Sequence, residues 1–271
     1  MIHGDQMKII LSRKGFDSEN GGQPSPIMPD GTLLSLPIPS EDDVLFSKIV
    51  HNGKTYLEII QELKPTTNIG KNSHCHLDPD INYSCIDRPN GWVGVFGQAE
   101  AAQGHLQNNN IAINDLFLFF GWFKETEIVN GKLNYKKYAR DLHIIYGYLQ
   151  IGNIYKEKFP DWTKYHPHTK FKNVNNNCIY TANDKLSFES NYSGFGTFKF
   201  DRKLILTKNG ETRSRWDLPD YFKNATITYH TKASFKDGYF DSAKKGQEFV
   251  IENNNDIINW SKDVIKAGYV A

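Results

Sequence analysis

A short segment of the chain carries two histidines and two aspartates at alternate positions: His74-Cys75-His76-Leu77-Asp78-Pro79-Asp80. In an extended strand all four would point to one side, where imidazole and carboxylate groups can bind a metal or transfer protons. Pro79 suits a turn equally well, and the sequence lacks the zinc signatures HExxH and HxE with a downstream PCxxC. We therefore assign no metal ligands and favour acid–base or hydrogen-bonding roles for His76 and Asp78, with a metal ion at His74, His76, Asp78 and Asp80 as the open alternative.

A polar, glycine-bearing loop follows the first apolar segment of the chain, beginning at Ser12 and passing through Gly21-Gly22. Loops at strand ends often hold ligands, because a rigid element positions them. Arg13 and Lys14 could contact a phosphate, with the glycines letting backbone amides approach it. Asp17 could contribute acid–base chemistry or a sugar contact. The alternative is a solvated turn in which Asp17 pairs with one of the two cations.

Three further residues complete the predicted binding set. Gln98 could hydrogen-bond a base edge or a sugar hydroxyl, or it could simply mark the start of a helix. Trp122, at the end of an aromatic run, could stack on a nucleobase, whereas most neighbouring rings are expected in the core. Arg213 and Arg215 would face the same side, where they could bind phosphate or pair with a neighbouring carboxylate. His166-Pro167-His168, in a polar loop, is expected to be incidental.

Short aromatic and β-branched runs, separated by Asn, Asp and Gly, predict strands joined by turns. The chain lacks a repeated βαβ rhythm and the motifs GxGxxG and GxxxxGK[ST], which argues against a doubly wound nucleotide-binding fold. We predict an α+β fold with a mainly antiparallel sheet or a partly closed barrel, a few peripheral helices and a C-terminal helix. The predicted strands are Lys8–Leu11, Leu33–Ile38, Trp92–Gly97, Asp115–Trp122, His143–Ile151, Cys178–Ala182, Gly196–Phe200 and Ala225–Tyr229, and the predicted helices are Thr55–Leu63 and Asp256–Ala267.

Composition limits the possible partners and compartments. The chain has 271 residues, with 32 Lys and Arg against 31 Asp and Glu. A net charge of +1 argues against gripping nucleic acid by bulk charge, although a local basic stripe could still do so. Three cysteines without a CxxC pair cannot form a disulfide framework, and no apolar run reaches membrane length, so we predict a cytoplasmic protein that does not bind a membrane.

The chain has no proline-rich or serine-rich linker, and we predict one domain over residues 1–271. Residues 1–6 are expected to be a disordered or dispensable extension. Within the domain, Asn130-Gly131 predicts a tight hairpin turn between the two longest apolar runs. Because the connection between those runs is long, this turn is expected to belong to a smaller hairpin inside it.

Blocks of sequence spread from residue 7 onwards resemble the third type of nucleotide modification associated domain. These blocks are residues 8–18, 21–27, 30–39, 76–80, 119–123, 148–152 and 246–250, followed by the terminal helix. Members of that family are linked, mainly by gene neighbourhood, to systems that hypermodify DNA bases in phages and bacteria. The resemblance therefore implies a nucleotide or modified DNA as the partner, and it transfers neither a cofactor nor a catalytic residue to this chain.

Together, the resemblance and the polar clusters favour an enzyme that transfers a group to a nucleotide or to a base in DNA. Its predicted catalytic residues are Asp17, His76 and Asp78, and its predicted nucleotide- and phosphate-binding residues are Arg13, Lys14, Gln98, Trp122 and Arg213. This hypothesis requires that the loop after the first strand and the His/Asp segment meet in one concavity large enough for a nucleotide.

Two alternatives remain open. The first is a non-catalytic reader of modified nucleobases, built on a barrel-like pair of strands over residues 115–123 and 143–152. In such a reader Trp122 and Tyr148 would stack on the base, and Gln98 or Asp115 would bind its edge. The second is an interaction or structural protein, which the near-neutral charge and the lack of a strong catalytic motif allow.

Overall fold

The structure, a computed structural model, describes residues 7–171, 174–244, 246–252 and 254–269, so the predicted extension over residues 1–6 lies outside it. Its helices are α1 (Tyr56–Leu63), α2 (Glu100–Asn108) and α3 (Asn255–Gly268). Its strands are β1 (Ile9–Arg13), β2 (Ser25–Ile27), β3 (Pro39–Ser40), β4 (Val44–Leu45), β5 (Val50–His51), β6 (Lys54–Thr55), β7 (His74–Cys75), β8 (Val95–Gln98), β9 (Leu116–Val129), β10 (Lys132–Tyr135), β11 (Leu142–Tyr155), β12 (Cys178–Ala182), β13 (Lys185–Leu186), β14 (Glu189–Ser193), β15 (Phe195–Thr197), β16 (Arg215–Trp216), β17 (Phe235–Lys236), β18 (Tyr239–Asp241) and β19 (Glu248–Ile251).

A nine-stranded sheet forms the centre of the fold, with the order β19-β1-β9-β11-β12-β8. Strands β2 and β10 also pair with β9, and β15 pairs with β11. The pairs β1–β9 and β2–β9 are parallel, and the other pairs of this sheet are antiparallel. The predicted α+β fold with a mainly antiparallel sheet and peripheral helices is confirmed. Among the described residues the strands form no closed barrel.

The central strands follow directly from the sequence. Residues Leu116–Phe120 of β9 are buried, as expected of a strand that is covered on both faces. Asn130 and Gly131 have φ angles of 50° and 75° and join β9 to β10 as a tight hairpin. The predicted small hairpin is therefore confirmed, and β11 returns as the long partner of β9.

The predicted first and terminal helices are confirmed to within one residue at each end. Thr55 caps α1, because its side chain accepts a hydrogen bond from the Glu58 amide while Glu58 reaches back to the Thr55 backbone. Asn254 caps α3 in a similar way through two amides of its first turn. Each helix buries one apolar stripe against the rest of the protein.

Two predicted strands are wrong. Over residues 33–38 the chain is buried but makes only an isolated bridge at Leu33, and Pro37 has no amide hydrogen to give to a strand partner. Over residues 225–229 only Ile227 makes a bridge, to Ile251. Tyr229 has a φ angle of 64°, which ends the extended conformation there.

The buried apolar side chains form two clusters, one around the central strands and one beneath α1. Leu11 belongs to the first cluster and Phe16 to the second, so the chain crosses between them just after β1. The Lys14 amide donates to the Phe120 carbonyl, and a Cβ atom on Gly121 would lie 2.7 Å from the Lys14 carbonyl oxygen. Glycine at this position therefore lets the loop after β1 lie directly against β9.

Candidate functional site

A cleft of about 800 Å³ opens where β1 ends, which is a volume suited to a small-molecule ligand. The loop after β1 and the His/Asp segment both line it, so the two stretches meet in one concavity. Its lining includes every one of the predicted site residues: Arg13, Lys14, Asp17, His76, Asp78, Gln98, Trp122 and Arg213. Their predicted chemical roles stay predictions.

The two cations that end β1 are held by the protein itself. The Arg13 guanidinium donates hydrogen bonds to the carbonyls of Ala243 and Lys244, and burial, together with Arg213, lowers its pKa. Lys14 Nζ lies 2.9 Å from Glu248 Oε1. Neither cation pairs with Asp17, and both place positive charge at the wall of the cleft.

Arg213 and Trp122 face the cleft as a stacked pair. The Arg213 guanidinium carbon lies 4.2 Å from the centre of the Trp122 ring, and its Nη2 donates to Ser18 Oγ at 2.7 Å. Arg215 does not line the cleft and instead donates to Glu211 at 2.8 Å. The expectation that Arg213 and Arg215 act on the same side is therefore wrong, because only the first of them reaches the cleft.

Asp17 and Gln98 shape the wall of the cleft. Asp17 Oδ1 accepts hydrogen bonds from the Glu19 and Asn20 amides at 2.8 and 2.7 Å, which closes a tight loop. Gln98 Nε2 donates to the buried Glu248 at 2.7 Å. These contacts support positioning roles for both side chains, and the catalytic role of Asp17 stays a prediction.

The alternating His/Asp segment does not converge as a whole. Strand β7 ends at Cys75, so the alternation breaks after it, and of the four groups only His76 and Asp78 line the cleft. Asp80 is buried and forms a bidentate ion pair with Arg88, with both N–O distances at 2.6 Å. The four groups therefore do not share one side, as they would in an extended strand.

His168 joins His76 and Asp78 in the cleft. The Nε2 atoms of His76 and His168 lie 3.8 and 4.0 Å from Asp78 Oδ2, and the ligand atoms of the three residues all lie within 4.8 Å of one another. We call these three residues the imidazole–carboxylate cluster. Burial lowers the pKa of His168 to about 4, although Asp78 opposes that shift.

Hydrogen bonds fix the orientation of both rings. His76 Nδ1 lies 2.7 Å from Asp42 Oδ2, and because a carboxylate oxygen accepts, this ring nitrogen is the donor. Burial alone would raise the pKa of Asp42, but the hydrogen bonds from His76 and Ser40 lower it. His168 Nδ1 donates to Asn177 Oδ1 at 2.8 Å, and the side-chain Nδ2 of Asn177 donates back to the His168 carbonyl. A neutral ring held in this way has its Nε2 lone pair facing Asp78.

The second carboxylate oxygen of Asp78, Oδ1, is fixed by contacts on the side away from His76 and His168. This oxygen accepts the Gly97 amide at 2.7 Å and lies 3.2 Å from Nε2 of the fully buried His166. Burial alone would raise the pKa of Asp78, but the His166 contact and the neighbouring imidazoles lower it to about 2. The carboxylate is therefore ionised at neutral pH, and its Oδ2 faces the two ring nitrogens.

Glycine at position 97 is required for this arrangement. A Cβ atom there would lie 2.3 Å from the Cγ and Cδ2 atoms of the His168 ring. Gly97 pairs with Ile179 within the β8–β12 ladder, and it contacts both His168 and Asp78.

Sequence reasoning missed His166 and His168, which were expected to be incidental, and also Asp42 and Asn177. The signal was present in two histidines at alternate positions on either side of Pro167, which opens a 3₁₀ turn. The approach of this turn to Asp78 depends on the path between β11 and β12, which no local pattern describes.

The reader hypothesis requires Tyr148 to face a ligand, and this expectation is wrong. Tyr148 has no exposed surface, and its ring stacks on Phe198 with centres 5.3 Å apart. Its hydroxyl donates to the Ser193 carbonyl. Asp115 is also buried and accepts the backbone amides of Lys8 and Ala112.

The chain belongs to the nucleotide modification associated domain 3 family, whose family model matches residues 8–252. The resemblance predicted from the sequence is therefore confirmed, and the role of the chain is associated with nucleotide modification. No curated protein and no solved structure matches the chain. Within the described ranges, every helix is too short or too polar to span a bilayer.

Proposed function

We propose that the chain is an enzyme that binds a nucleotide, or a base in DNA, in this cleft and transfers a group to it. One observation carries the proposal: cationic and aromatic side chains share an 800 Å³ cleft with an ionised carboxylate and two oriented imidazoles. A nucleotide has a matching division into an anionic phosphate, an apolar base face and atoms that can be alkylated or acylated.

In this proposal the phosphate binds to Arg213, and Arg13 and Lys14 add positive potential behind it. Arg213 is half-buried and has one hydrogen bond to Ser18, so its remaining donors can reach a ligand in the cleft. A phosphate that draws Arg213 towards itself uncovers the Trp122 ring for stacking on the base, which is worth about 1–3 kcal/mol. Gln98 remains bound to Glu248 and supports the wall of the cleft.

The imidazole–carboxylate cluster acts on the atom that receives the group. A nitrogen or oxygen of the nucleotide forms the new bond to an activated donor, whose leaving group keeps the electron pair of the broken bond. The proton of the attacking atom passes to Nε2 of His76 and then to the leaving group, so that protons and electrons balance. Asp78 stabilises the transient imidazolium by its charge.

The test is a mass measurement on nucleosides after incubation with DNA or deoxynucleoside monophosphates and a small-molecule cell extract as the donor source. We expect a mass increase that Asp78→Asn reduces by about 10²- to 10⁴-fold. Arg202→Ala, at an exposed position outside the cleft, is the matched control and should keep full turnover. Unchanged turnover in a folded Asp78→Asn variant would refute the proposal.

A second measurement separates an enzyme from a reader. Trp122 lines the cleft, so the tryptophan fluorescence of the chain is titrated with deoxynucleoside monophosphates and with plain and modified DNA, and Trp122→Phe identifies the part of the signal that comes from the cleft. Binding without any mass change, together with a preference for modified DNA, would favour the reader. If neither nucleotides nor DNA bind, both functions are excluded.

A further inference from the structure

We propose that His76, Asp78 and His168 bind a divalent first-row transition-metal ion. The inference deepens the proposed function, since it concerns the reactive cluster of the same cleft. It rests on the proposed function: with the ion bound, His76 Nε2 is a ligand, and hydroxide on an open position of the ion accepts the proton that the metal-free chain passes to His76. In the sequence a metal at this segment was the less favoured of two alternatives. Its test does not depend on turnover.

Three possible ligand atoms converge on one point of the cleft. The Nδ1 atoms face the oxygens of Asp42 and Asn177, so the neutral ring at either position directs its Nε2 lone pair towards Asp78 Oδ2. The separations of 3.8 and 4.0 Å are too long for hydrogen bonds but close to the spacing of ligands around one ion. Neighbouring ligands in a tetrahedral zinc site lie roughly 3.3 Å apart, so small side-chain movements complete the site.

The hydrogen bonds made by the three ligand residues also fit a metal site. Metal-bound histidines nearly always donate their other ring hydrogen to a carboxylate or carbonyl oxygen, and Asp42 and Asn177 supply such oxygens. The Gly97 amide donates to Asp78 Oδ1, and His166 Nε2 lies 3.2 Å from the same oxygen, so Oδ2 is the oxygen that faces the two imidazoles. A cluster built only for proton transfer does not need both rings fixed in the same tautomer.

An ion can reach the imidazole–carboxylate cluster from the cleft, and the ligand types indicate which ions fit. The exposed side-chain fractions are 18% for His76, 3% for Asp78 and 5% for His168, so the cluster is shielded but reaches the cleft through His76. Two imidazoles and one carboxylate suit zinc, iron, cobalt or manganese better than calcium or magnesium, which prefer oxygen ligands. Three protein ligands also leave positions open for an oxygen of the nucleotide or for water.

The experiment uses the full chain after dialysis against a chelator, with Zn²⁺ and Co²⁺ as the probes. We expect one ion per chain by calorimetry, and visible absorption from the cobalt form typical of a tetrahedral site. His168→Ala and Asp78→Asn should each weaken zinc binding by well over tenfold, whereas His51→Ala removes an imidazole outside the cleft and should leave it unchanged.

A positioning variant keeps the test valid if a ligand variant fails to fold. Asp42→Asn leaves all three ligands in place, and we expect a 10- to 100-fold loss of zinc affinity with unchanged circular dichroism. The inference is refuted if the wild-type chain binds no ion with one-to-one stoichiometry, or if folded ligand variants and Asp42→Asn bind zinc as well as wild type. Nucleotide binding by the metal-free chain in that case would preserve the proposed function, and zinc binding without nucleotide binding would preserve the inference alone.

Discussion

Replacing Gly97 by alanine tests the geometry of the cluster with one added methyl group. The new Cβ atom would lie 2.3 Å from His168 Cγ, and an ordinary contact begins at 3.4 Å. The imidazole must therefore move by about 1 Å, which separates its Nε2 from Asp78. Overpacking of this kind costs about 1–3 kcal/mol, a minor part of the stability of a typical domain, so the variant should fold.

The assay combines thermal unfolding with zinc affinity. We expect Gly97→Ala to lower the melting temperature by roughly 2 to 12 °C and to weaken zinc binding by at least about tenfold. Gly104→Ala is the matched control, because its new Cβ atom would meet only Asn176 Nδ2 at 3.5 Å and alanine suits the interior of α2. This control should be neutral or stabilising by up to about 1 kcal/mol.

A double variant shows whether the clash is with His168. In Gly97→Ala/His168→Ala the ring is gone, so the destabilisations of the two single variants should not add, with a coupling of about 0.5–3 kcal/mol. The reasoning is refuted if Gly97→Ala melts like wild type and binds zinc equally well, or if the two substitutions act additively.

Three other predictions follow from groups around the cleft. Arg213→Ala should weaken binding of deoxynucleoside monophosphates by about tenfold or more but should not weaken nucleoside binding, since it uncovers the Trp122 ring, as measured by tryptophan fluorescence; equal losses for both would contradict a phosphate contact. Burial first, and then Arg13 and Arg213, lower the pKa of His143 well below 6.5, so the unfolded chain takes up this proton at higher pH than the folded chain. The free energy of unfolding should therefore fall as the pH drops below about 6.5, and His143→Gln should flatten that part of the curve in urea titrations. Arg88→Ala leaves the buried Asp80 unpaired and should cost about 3–5 kcal/mol in urea unfolding, whereas a loss under 1 kcal/mol would show that the pair is dispensable.

The sequence predicted correctly those elements whose structure is determined by neighbouring residues. The continuous apolar run of β9, the Asn130-Gly131 turn and the stripe of α1 each specify a structure within a few neighbouring residues. The wrong strands, over residues 33–38 and 225–229, are apolar segments without a continuous partner strand. Hydrophobicity predicts that such a segment is buried, but strand pairing depends on the tertiary path.

The candidate site was likewise predictable in part, where residue type was sufficient, and not where the tertiary path decides the contacts. Residue types alone selected His76, Asp78 and the cationic loop after β1, and the fold brings them to one cleft. The alternating His166 and His168 were visible in the sequence, but their approach to Asp78 was not, because a histidine beside a proline in a polar loop carries no local sign of a distant aspartate. Arg215 and Asp80 were also candidates from their spacing alone. Neither lines the cleft, because each forms an ion pair of its own.

The placement of His76 and His168 has a consequence for the folded chain as a whole. His76 lies beside the smaller apolar cluster, whereas His168 lies in the connection between the central strands β11 and β12. An ion held by both would act as a removable cross-link that closes a long loop of the chain. Chelation would then lower the free energy of unfolding of the whole chain, and restoring the metal would restore its resistance to proteases.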